Sequence, residues 1–349
     1  MSEVLVFTRP RQIDFDTVED RPLEAKEIRV RTLYSGISAG TEMTAYRGSN
    51  PYLSKQWDAK NRLFVTSEAP SQPYPLSGWG YEEVGEVIEV NSEVTTLKVG
   101  DIVYGTWGHR THHILQEDYA NQRVKPQGLD PILAIYSHLG PIALNGILDA
   151  NIHVGETVAI FGLGVLGQVI AQLAKLNGAR VFGVDMIEKR LELAKELGAI
   201  EFGFNPKEGS PAEQIKGLTN GRGADVTIEV TGSAKALHEA VRATAYSARV
   251  VAMGFFQGEA QGLLLGEEFH HNRIQLVCSQ IGNVDPSLSY RWDRIRLIHT
   301  IMDLQAKGSL NLRPVITHII PFQQAAQGFH ILDETPDQAL QVVLDFSKE

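Results

Sequence analysis

The feature that most restricts the fold is a glycine-rich turn, Gly162-Leu163-Gly164-Val165-Leu166-Gly167, placed between two regular elements. Residues 157–161 before it form a continuous apolar run, which is typical of a strand buried in a parallel sheet. Residues 165–176 after it carry helical spacing. The first glycine allows a tight turn, the second lets the backbone approach a pyrophosphate, and the third lets the helix pack on the sheet. The turn therefore predicts a dinucleotide site at the N-terminus of a helix.

An acidic residue at the end of the next strand indicates which nucleotide binds. Asp185 ends the predicted strand 180–185, where its carboxylate can accept hydrogen bonds from both adenosine ribose hydroxyls. The same carboxylate would repel a 2′-phosphate, so the sequence favours NAD over NADP, and Arg190 nearby weakens that preference. The alternatives are a glycine turn needed only for packing and an FAD site, although FAD folds usually carry the motif at the N-terminus. The remaining residues predicted to bind the cofactor are Val230, Thr231, Gly254 and Phe255.

Two domains are expected from the 349 residues and from a change of rhythm along the chain. The part up to about residue 139 is rich in predicted strands, and from about residue 145 strands alternate with helices, as in a doubly wound parallel sheet. A long segment, residues 47–77, contains proline, serine and aromatic side chains and is predicted to be a substrate lid or a packed loop. The predicted strands are 27–31, 84–90, 100–105, 225–230, 249–253, 274–279 and 315–320, and the predicted later helices are 188–197, 234–243 and 294–307.

Composition excludes several classes of protein. The formal net charge of −10 argues against a nucleic-acid surface, which needs lysine and arginine to neutralise phosphate. No apolar run approaches the roughly 20 residues that cross a bilayer, and no signal peptide is visible. The single cysteine, Cys278, cannot form an intrachain disulfide. The expected location is therefore the cytoplasm, without a membrane or nucleic-acid partner.

Several segments together resemble the medium-chain dehydrogenase/reductase superfamily, the zinc-type alcohol dehydrogenases and their relatives. The resemblance covers nearly the whole chain and implies an α/β protein with a GroES-like catalytic domain, residues 1–139 and 283–349, around a Rossmann NAD-binding domain, residues 140–282. It also implies a homodimer or homotetramer that pairs through an edge strand near 249–255. The segments that carry the resemblance, besides the glycine turn, are residues 36–42, 80–85, 99–103, 190–191 and 197–199.

The zinc ligands of these relatives are missing at the matching positions. Ser38 or Ala39 stands where a ligand cysteine is expected, Tyr81 replaces the ligand histidine, and Ser137 falls at the third ligand position. Hydroxyl groups are poor zinc ligands, so we predict no catalytic zinc. The side chains that remain as alternative metal ligands are Glu82, His109, His112, His113 and His138.

Without zinc, hydroxyl donors or an acid must handle charge on the substrate oxygen. We predict that Tyr81 donates to that oxygen, that Glu82 orients Tyr81 or acts as acid or base, and that Thr41 and Tyr46 assist. The structural alternatives are a Tyr81 that fills the vacated metal cavity and a Glu82 that pairs with an arginine. The relay histidine three residues after Thr41 is replaced by Thr44, which leaves that relay incomplete.

The leading functional hypothesis is an NAD-dependent oxidoreductase that interconverts an alcohol and a ketone, with a polyol or cyclic molecule as the small-molecule substrate. A second enzymatic hypothesis is a zinc-free quinone or enone reductase, which Asp185 disfavours because those enzymes usually prefer NADPH. A third is a nucleotide-binding protein that has lost catalysis.

Overall fold

The computed structural model describes residues 1–66 and 71–347, and these divide into two units. The first unit contains Met1–His138 and Ile316–Glu349, and the second contains Leu139–Val315. The sequence-based prediction placed this boundary at residue 139. The predicted return at residue 283 is wrong, since the chain rejoins the first unit at Ile316.

The second unit is built on a parallel sheet, as the glycine turn and the βα rhythm predicted. All neighbouring strands pair in parallel. Strand order reverses beside the central strand Thr157–Phe161, and ligands of such sheets bind at this switch point, beyond the carboxyl ends of the strands. In spatial order the strands are Phe202–Phe204, Arg180–Val184, Thr157–Phe161, Ala224–Glu229, Thr244–Ala252 and Gln275–Cys278.

One helix of the second unit explains why this unit extends beyond the predicted boundary at residue 283. Helix Arg294–Ala306 packs on helix Leu139–Ala150, where a Cβ on Gly140 would lie 2.5 Å from the Ile301 side chain. Gln172 also exchanges hydrogen bonds with the Asn311 backbone, so the chain stays in this unit beyond the helix. The other helices are Val165–Leu176, Glu188–Glu196, Pro211–Leu218 and Ala234–Ala243, with short turns at Pro206–Glu208, Leu265–Phe269 and Arg313–Val315.

The predicted edge strand near 249–255 is not at an edge. Strand Thr244–Ala252 pairs on one side with Ala224–Glu229 and on the other with Gln275–Cys278. The edge of the described sheet on this side is therefore Gln275–Cys278, the last strand in sequence. An apolar run in the sequence predicts a buried strand, but it does not predict which strand lies at the edge of the sheet. The predicted homo-oligomer remains a prediction.

The first unit is mainly β structure, in agreement with the GroES-like expectation. Strand Glu27–Ile37 is its centre, since it pairs with Glu83–Val90, His112–Gln116 and Gln341–Asp345. Phe7, Ile37, Met43 and Phe329 are fully buried in the core beside it. The remaining strands are Ser2–Arg9, Gln12–Val18, Lys55–Asp58, Leu63–Thr66, Leu76–Ser77, Ile102–Gly105 and Ile316–Pro321, and the helices are Thr41–Arg47, Glu117–Asn121 and Ala325–Glu334, with short turns at Pro51–Leu53, Pro131–Ser137 and Phe322–Gln324.

The long aromatic segment, residues 47–77, contains a small hairpin made by Lys55–Asp58 and Leu63–Thr66. Trp57 and Phe64 contact each other across it with ring centroids 4.9 Å apart, and both remain more than one third exposed. Residues 67–70 of this segment lie outside the described residues. The choice between a lid and a packed loop stays open.

Among residues 1–66 and 71–347, no single helix has the length and apolar composition to cross a bilayer. The bent pair Pro131–Ser137 and Leu139–Ala150 meets that test only when both helices are counted together.

Candidate nucleotide site and catalytic hydroxyl pair

The glycine turn of the second unit has the geometry that its sequence predicted. Gly162 has a φ of +101°, and a Cβ there would lie 2.6 Å from the Thr231 side chain. A Cβ on Gly167 would overlap the Gly162 carbonyl oxygen. Around Gly164, by contrast, the nearest atom to such a Cβ is Arg190 Nη1 at 3.8 Å. The first and third glycines are thus fixed by packing, and the second leaves the space that a phosphate group needs.

The helix after the turn presents free backbone amides. It begins at Val165, followed by Leu166, and its N-cap residue Gly164 has no side chain to accept from them. Such a helix start carries unpaired N–H groups and a positive dipole end, which bind phosphate. The turn and the helix therefore form an anion site at the carboxyl end of the central strand.

Asp185 lies beside this turn at the end of strand Arg180–Val184. Its Oδ2 accepts a hydrogen bond from the Leu163 amide at 2.7 Å, and its Oδ1 accepts from the Ile187 amide at 2.9 Å. Arg190 Nη1 is 3.8 Å from Asp185 Oδ2, and this ion pair lowers the net negative charge of the site. The carboxylate therefore lies against the glycine turn, with a cation next to it.

The next two strands bring the other predicted cofactor residues together. Val230 contacts the turn, because its side chain lies 3.2 Å from the Cβ position of Gly162. Gly254 packs so closely that a Cβ would overlap the Gly232 amide nitrogen, whereas Phe255 is 45% exposed. Thr231 donates its amide to Glu229 Oε1 at 2.7 Å. Sequence analysis missed Glu229, a fully buried carboxyl at the end of strand Ala224–Glu229 that holds this loop.

The first unit places Tyr81 in direct contact with Ser38, which was considered only as a replaced metal ligand. The Tyr81 phenol and the Ser38 hydroxyl hydrogen-bond each other, and Ser38 Oγ also accepts the Thr41 amide at 3.3 Å. The Tyr81 ring lies against His138, with centroids 4.4 Å apart. Burial raises the pKa of the Tyr81 phenol. Tyr81 is therefore a neutral hydrogen-bond donor at physiological pH.

Glu82 does not pair with an arginine, which was the structural alternative. The side chain is fully buried, and neither carboxyl oxygen makes a hydrogen bond of normal geometry with a described residue. It lies beside Gly36, where a Cβ would overlap Glu82 Oε2 and lie 2.9 Å from Gln341 Nε2. Burial, together with the charges of Glu42 and Glu83, raises the pKa of Glu82 well above its ordinary value. Glu82 is therefore a neutral carboxylic acid, with the polar end of Gln341 as its neighbour.

This protonation state predicts a pH-dependent stability difference for Glu82→Gln. The pKa of Glu82 is higher in the folded protein than in the unfolded chain, so the native state keeps a proton that the unfolded chain releases. The free energy of unfolding of the wild type therefore falls as the pH rises above the pKa that Glu82 has in the unfolded chain. Glutamine has no such loss, and its amide can donate to Gln341 Oε1, which has no partner among the described residues. We expect the variant to be more stable than wild type by about 1–3 kcal/mol at pH 8, with little difference at pH 4.5. Urea unfolding at several pH values measures it.

The control for this series is Glu86→Gln, in the strand that follows Glu82, whose carboxylate pairs with Arg31 at the surface. That variant should not gain stability with rising pH. A destabilisation by Glu82→Gln that is equal at all pH values would show that Glu82 is ionised and paired.

The other predicted catalytic residues lie in or beside helix Thr41–Arg47. Thr41 donates its amide to Ser38 Oγ at 3.3 Å, its side chain hydrogen-bonds Tyr81, and its carbonyl oxygen accepts the Thr44 hydroxyl at 2.7 Å. Tyr46 is 6% exposed and packs in the core against Phe7 and Phe329. Packing alone thus accounts for Tyr46.

A second buried polar group surrounds His109, which sequence analysis considered only as a metal ligand. His109 Nε2 is 2.5 Å from Glu42 Oε2, and its Nδ1 is 2.6 Å from Ser35 Oγ. Ser35 donates to Glu83 Oε1 at 3.1 Å, and Glu42 Oε1 accepts the Ser38 amide at 2.9 Å. The only local signal was the high density of polar residues in segments 35–42 and 80–85.

Comparisons with known proteins agree with this architecture. The model of the zinc-binding dehydrogenase family matches residues 165–298. D-guloside 3-dehydrogenases of Shigella flexneri and Escherichia coli K12 are each 32% identical to this chain, over 98% of it and 99% of their own length. The chain is a member of the medium-chain dehydrogenase/reductase superfamily.

Two solved structures show the same fold over 99% of this chain and 99% of their own. One is an alcohol dehydrogenase of Escherichia coli CFT073 in complex with NADH, with a TM-score of 0.78 and 21% identity. The other, from Sinorhizobium meliloti 1021, is described as a zinc-binding dehydrogenase bound to NADP, with a TM-score of 0.76 and 19% identity.

The side chains at the superfamily's zinc positions do not fit zinc. Ser38 and Tyr81 offer only hydroxyl groups, and these hydrogen-bond each other. Ser137 at the third position offers only a hydroxyl. Zinc prefers thiolate, imidazole and carboxylate ligands. Both ring nitrogens of His109 are already bonded, and His113 stacks on Trp107, so neither completes a ligand set.

A group of metal-ligand types also occurs in the second unit, where ligand atoms of His238, Glu267 and Glu268 lie within 4.8 Å of one another. Arg242 Nε is 3.3 Å from Glu268 Oε1, however, and Glu267 is exposed. The guanidinium already supplies positive charge to this group, and we assign no metal there.

Proposed function

We propose that this protein is an NAD-dependent dehydrogenase that oxidises a secondary hydroxyl of a sugar glycoside or polyol to a ketone, without catalytic zinc. The observation that carries the proposal is the hydrogen-bonded Ser38–Tyr81 hydroxyl pair at the superfamily's metal-ligand positions. The substrate class is supported by the full-length similarity to proteins named D-guloside 3-dehydrogenase.

Each residue has a defined part in this proposal. Bound NAD supplies the hydride acceptor at its nicotinamide ring. The Tyr81 phenol donates a hydrogen bond to the substrate oxygen, and Ser38 accepts from or donates to Tyr81 as the charge on that oxygen changes. In the oxidative direction the Tyr81 oxygen takes the proton of the substrate hydroxyl while the phenol's own proton passes to Ser38 and from there to solvent, so that Tyr81 stays neutral, and reduction runs the same transfers in reverse. Glu82, as a neutral acid, keeps a second negative charge away from the developing alkoxide.

The test of the proposed function is turnover of methyl glycosides, polyols and a quinone by the metal-analysed enzyme, followed through NADH absorbance. We expect oxidation of a glycoside, less than one zinc per ten chains, and unchanged activity after incubation with a chelator. Stoichiometric zinc with loss of activity on chelation would contradict the zinc-free mechanism. Nucleotide binding without turnover of any compound would favour the non-catalytic alternative.

NAD is proposed over NADP because the Asp185 carboxylate lies beside the turn that binds the phosphates. We expect Asp185→Asn to weaken NADH binding about 10- to 100-fold, since hydrogen bonds to a charged group contribute about 1.5–3 kcal/mol. The same variant should bind NADPH as well as wild type or better, because the repulsion of the 2′-phosphate is gone. Fluorescence titration of both nucleotides measures the ratio.

The matched control for this variant is Asp225→Asn. Asp225 also accepts a backbone amide, that of Thr157 at 2.9 Å, but lies at the start of its strand, away from the turn. Its nucleotide affinities should equal those of wild type. An unchanged NADH to NADPH ratio in Asp185→Asn would contradict the assigned preference.

A further inference from the structure

Four fully buried side chains in the first unit form a continuous line of hydrogen bonds: Glu42, His109, Ser35 and Glu83. They come from four separate places in the chain, since Ser35 lies in strand Glu27–Ile37, Glu42 in helix Thr41–Arg47, Glu83 at the start of strand Glu83–Val90, and His109 in the loop after Gly105. Burying charged groups without compensation is costly, so such a line is retained where its members satisfy each other.

The proton positions along the line depend on whether Glu83 is ionised. With an ionised Glu83, Ser35 donates its hydroxyl hydrogen to Glu83 Oε1, so that Ser35 Oγ accepts from His109 Nδ1, 2.6 Å away. The second proton lies between His109 Nε2 and Glu42 Oε2, 2.5 Å apart. Although burial alone would lower it, the charge and hydrogen bond of Glu42 and the charge of Glu83 raise the pKa of His109. His109 and Glu42 are therefore an ion pair.

The line does not reach Tyr81 as a path for protons. The other oxygen of Glu42, Oε1, accepts the backbone amide of Ser38 at 2.9 Å, and a backbone amide does not relay a proton. The Ser38 side chain, by contrast, contacts Tyr81 and, at 3.3 Å, the Thr41 amide among the described residues. The Glu42 carboxylate is thus the firm anchor of Ser38.

We infer that His109 is a positioning residue for the catalytic hydroxyl pair, acting through Glu42 to hold Ser38 against Tyr81. This inference rests on the proposed function for its kinetic consequence. His109 touches neither Ser38 nor Tyr81 by a hydrogen bond in the described structure, and it acts by fixing the Glu42 carboxylate that binds the Ser38 amide. Misplacement of a reacting group by about 1 Å costs up to 100-fold in rate.

A double-mutant cycle between His109 and Ser38 tests the inference. His109→Gln keeps a neutral donor toward Glu42 and removes the charge, and Ser38→Ala removes the hydroxyl that is positioned. We expect His109→Gln to lower kcat about tenfold in the wild-type background and less than twofold in the Ser38→Ala background, with KM within twofold in both. Equal losses in the two backgrounds would overturn the inference, because His109 would then act independently of Ser38.

The matched control is His113→Gln, a half-buried histidine stacked on Trp107 and outside the line. It should leave both kcat and the hydrogen-exchange rate of residues 36–42 unchanged. If His109→Gln fails to fold, Glu42→Asp replaces it in the same cycle, since the shorter carboxylate cannot hold both His109 and the Ser38 amide.

A second measurement does not depend on turnover. Hydrogen exchange of the peptide covering residues 36–42 should be at least about tenfold faster in His109→Gln than in wild type, and unchanged in His113→Gln. Unchanged exchange in His109→Gln would overturn the inference even if no substrate is found. Failure of the proposed function shows separately, as an absence of turnover by the wild-type enzyme.

Discussion

Replacing Tyr81 by phenylalanine is expected to lower kcat of the proposed dehydrogenase by about 100- to 1,000-fold, the usual effect of removing one donor to a developing oxyanion. The ring stays in place against His138, because its packing does not need the hydroxyl. NADH affinity should stay within twofold, since the glycine turn belongs to the second unit. Steady-state kinetics with the substrate identified by the panel, together with NADH titration, separate the two effects.

The control is Tyr119→Phe, which removes another hydrogen-bonded phenol of the same unit. The Tyr119 hydroxyl accepts the Thr106 amide at 3.1 Å, and the partly buried side chain packs against a different core cluster, which contains Ile28 and Trp107. This variant should retain wild-type kcat. Turnover by Tyr81→Phe at the wild-type rate would show that Tyr81 only fills the space of the missing metal, which was the alternative given by the sequence.

The largest structural effect is expected from Gly167→Ala. The added methyl group would overlap the Gly162 carbonyl oxygen, so the turn and the helix Val165–Leu176 cannot keep their separation. We expect a loss of about 3 kcal/mol or more in the free energy of unfolding, at the upper end for overpacking, and no measurable NADH binding. Urea unfolding and nucleotide titration measure the two losses.

Gly164→Ala separates the two functions of the turn. Its φ of −63° suits alanine, and no atom lies closer than 3.8 Å to the new methyl group. Stability should therefore stay within about 0.5 kcal/mol of wild type, whereas NADH affinity should fall because the methyl group occupies the space left for phosphate. If both variants bind NADH normally, the turn does not hold the pyrophosphate.

The sequence predicted the parts of the fold that are encoded by near neighbours. Helices Val165–Leu176 and Ala234–Ala243 begin and end where periodicity placed them, since a glycine turn precedes the first and the Ser233 side chain caps the second. The return at Ile316 and the edge strand Gln275–Cys278 were missed, because both are decided by packing between distant segments.

The same distinction applies to the candidate site. The predicted cofactor residues lie at or just after the ends of four parallel strands of the second unit, so a single motif and the strand spacing could predict them together. The partners of His109 come from separate elements, and no local pattern pairs a histidine with Glu42 or Ser35. The environment of Glu82 was also out of reach, since Gly36 and Gln341 make room for it from two other strands.

Strand Gln341–Asp345 has a consequence for how the protein is made. It pairs with the end of strand Glu27–Ile37, which the ribosome delivers about 300 residues earlier. The second unit can complete its own sheet during that interval, because all of its strands lie between residues 157 and 278. The sheet of the first unit, and the Gln341 side chain beside Glu82, must wait until residues 341–345 have been synthesised. Until then residues 34–37 present an unpaired strand edge, so the catalytic half is the part of the molecule most exposed to misassembly during synthesis.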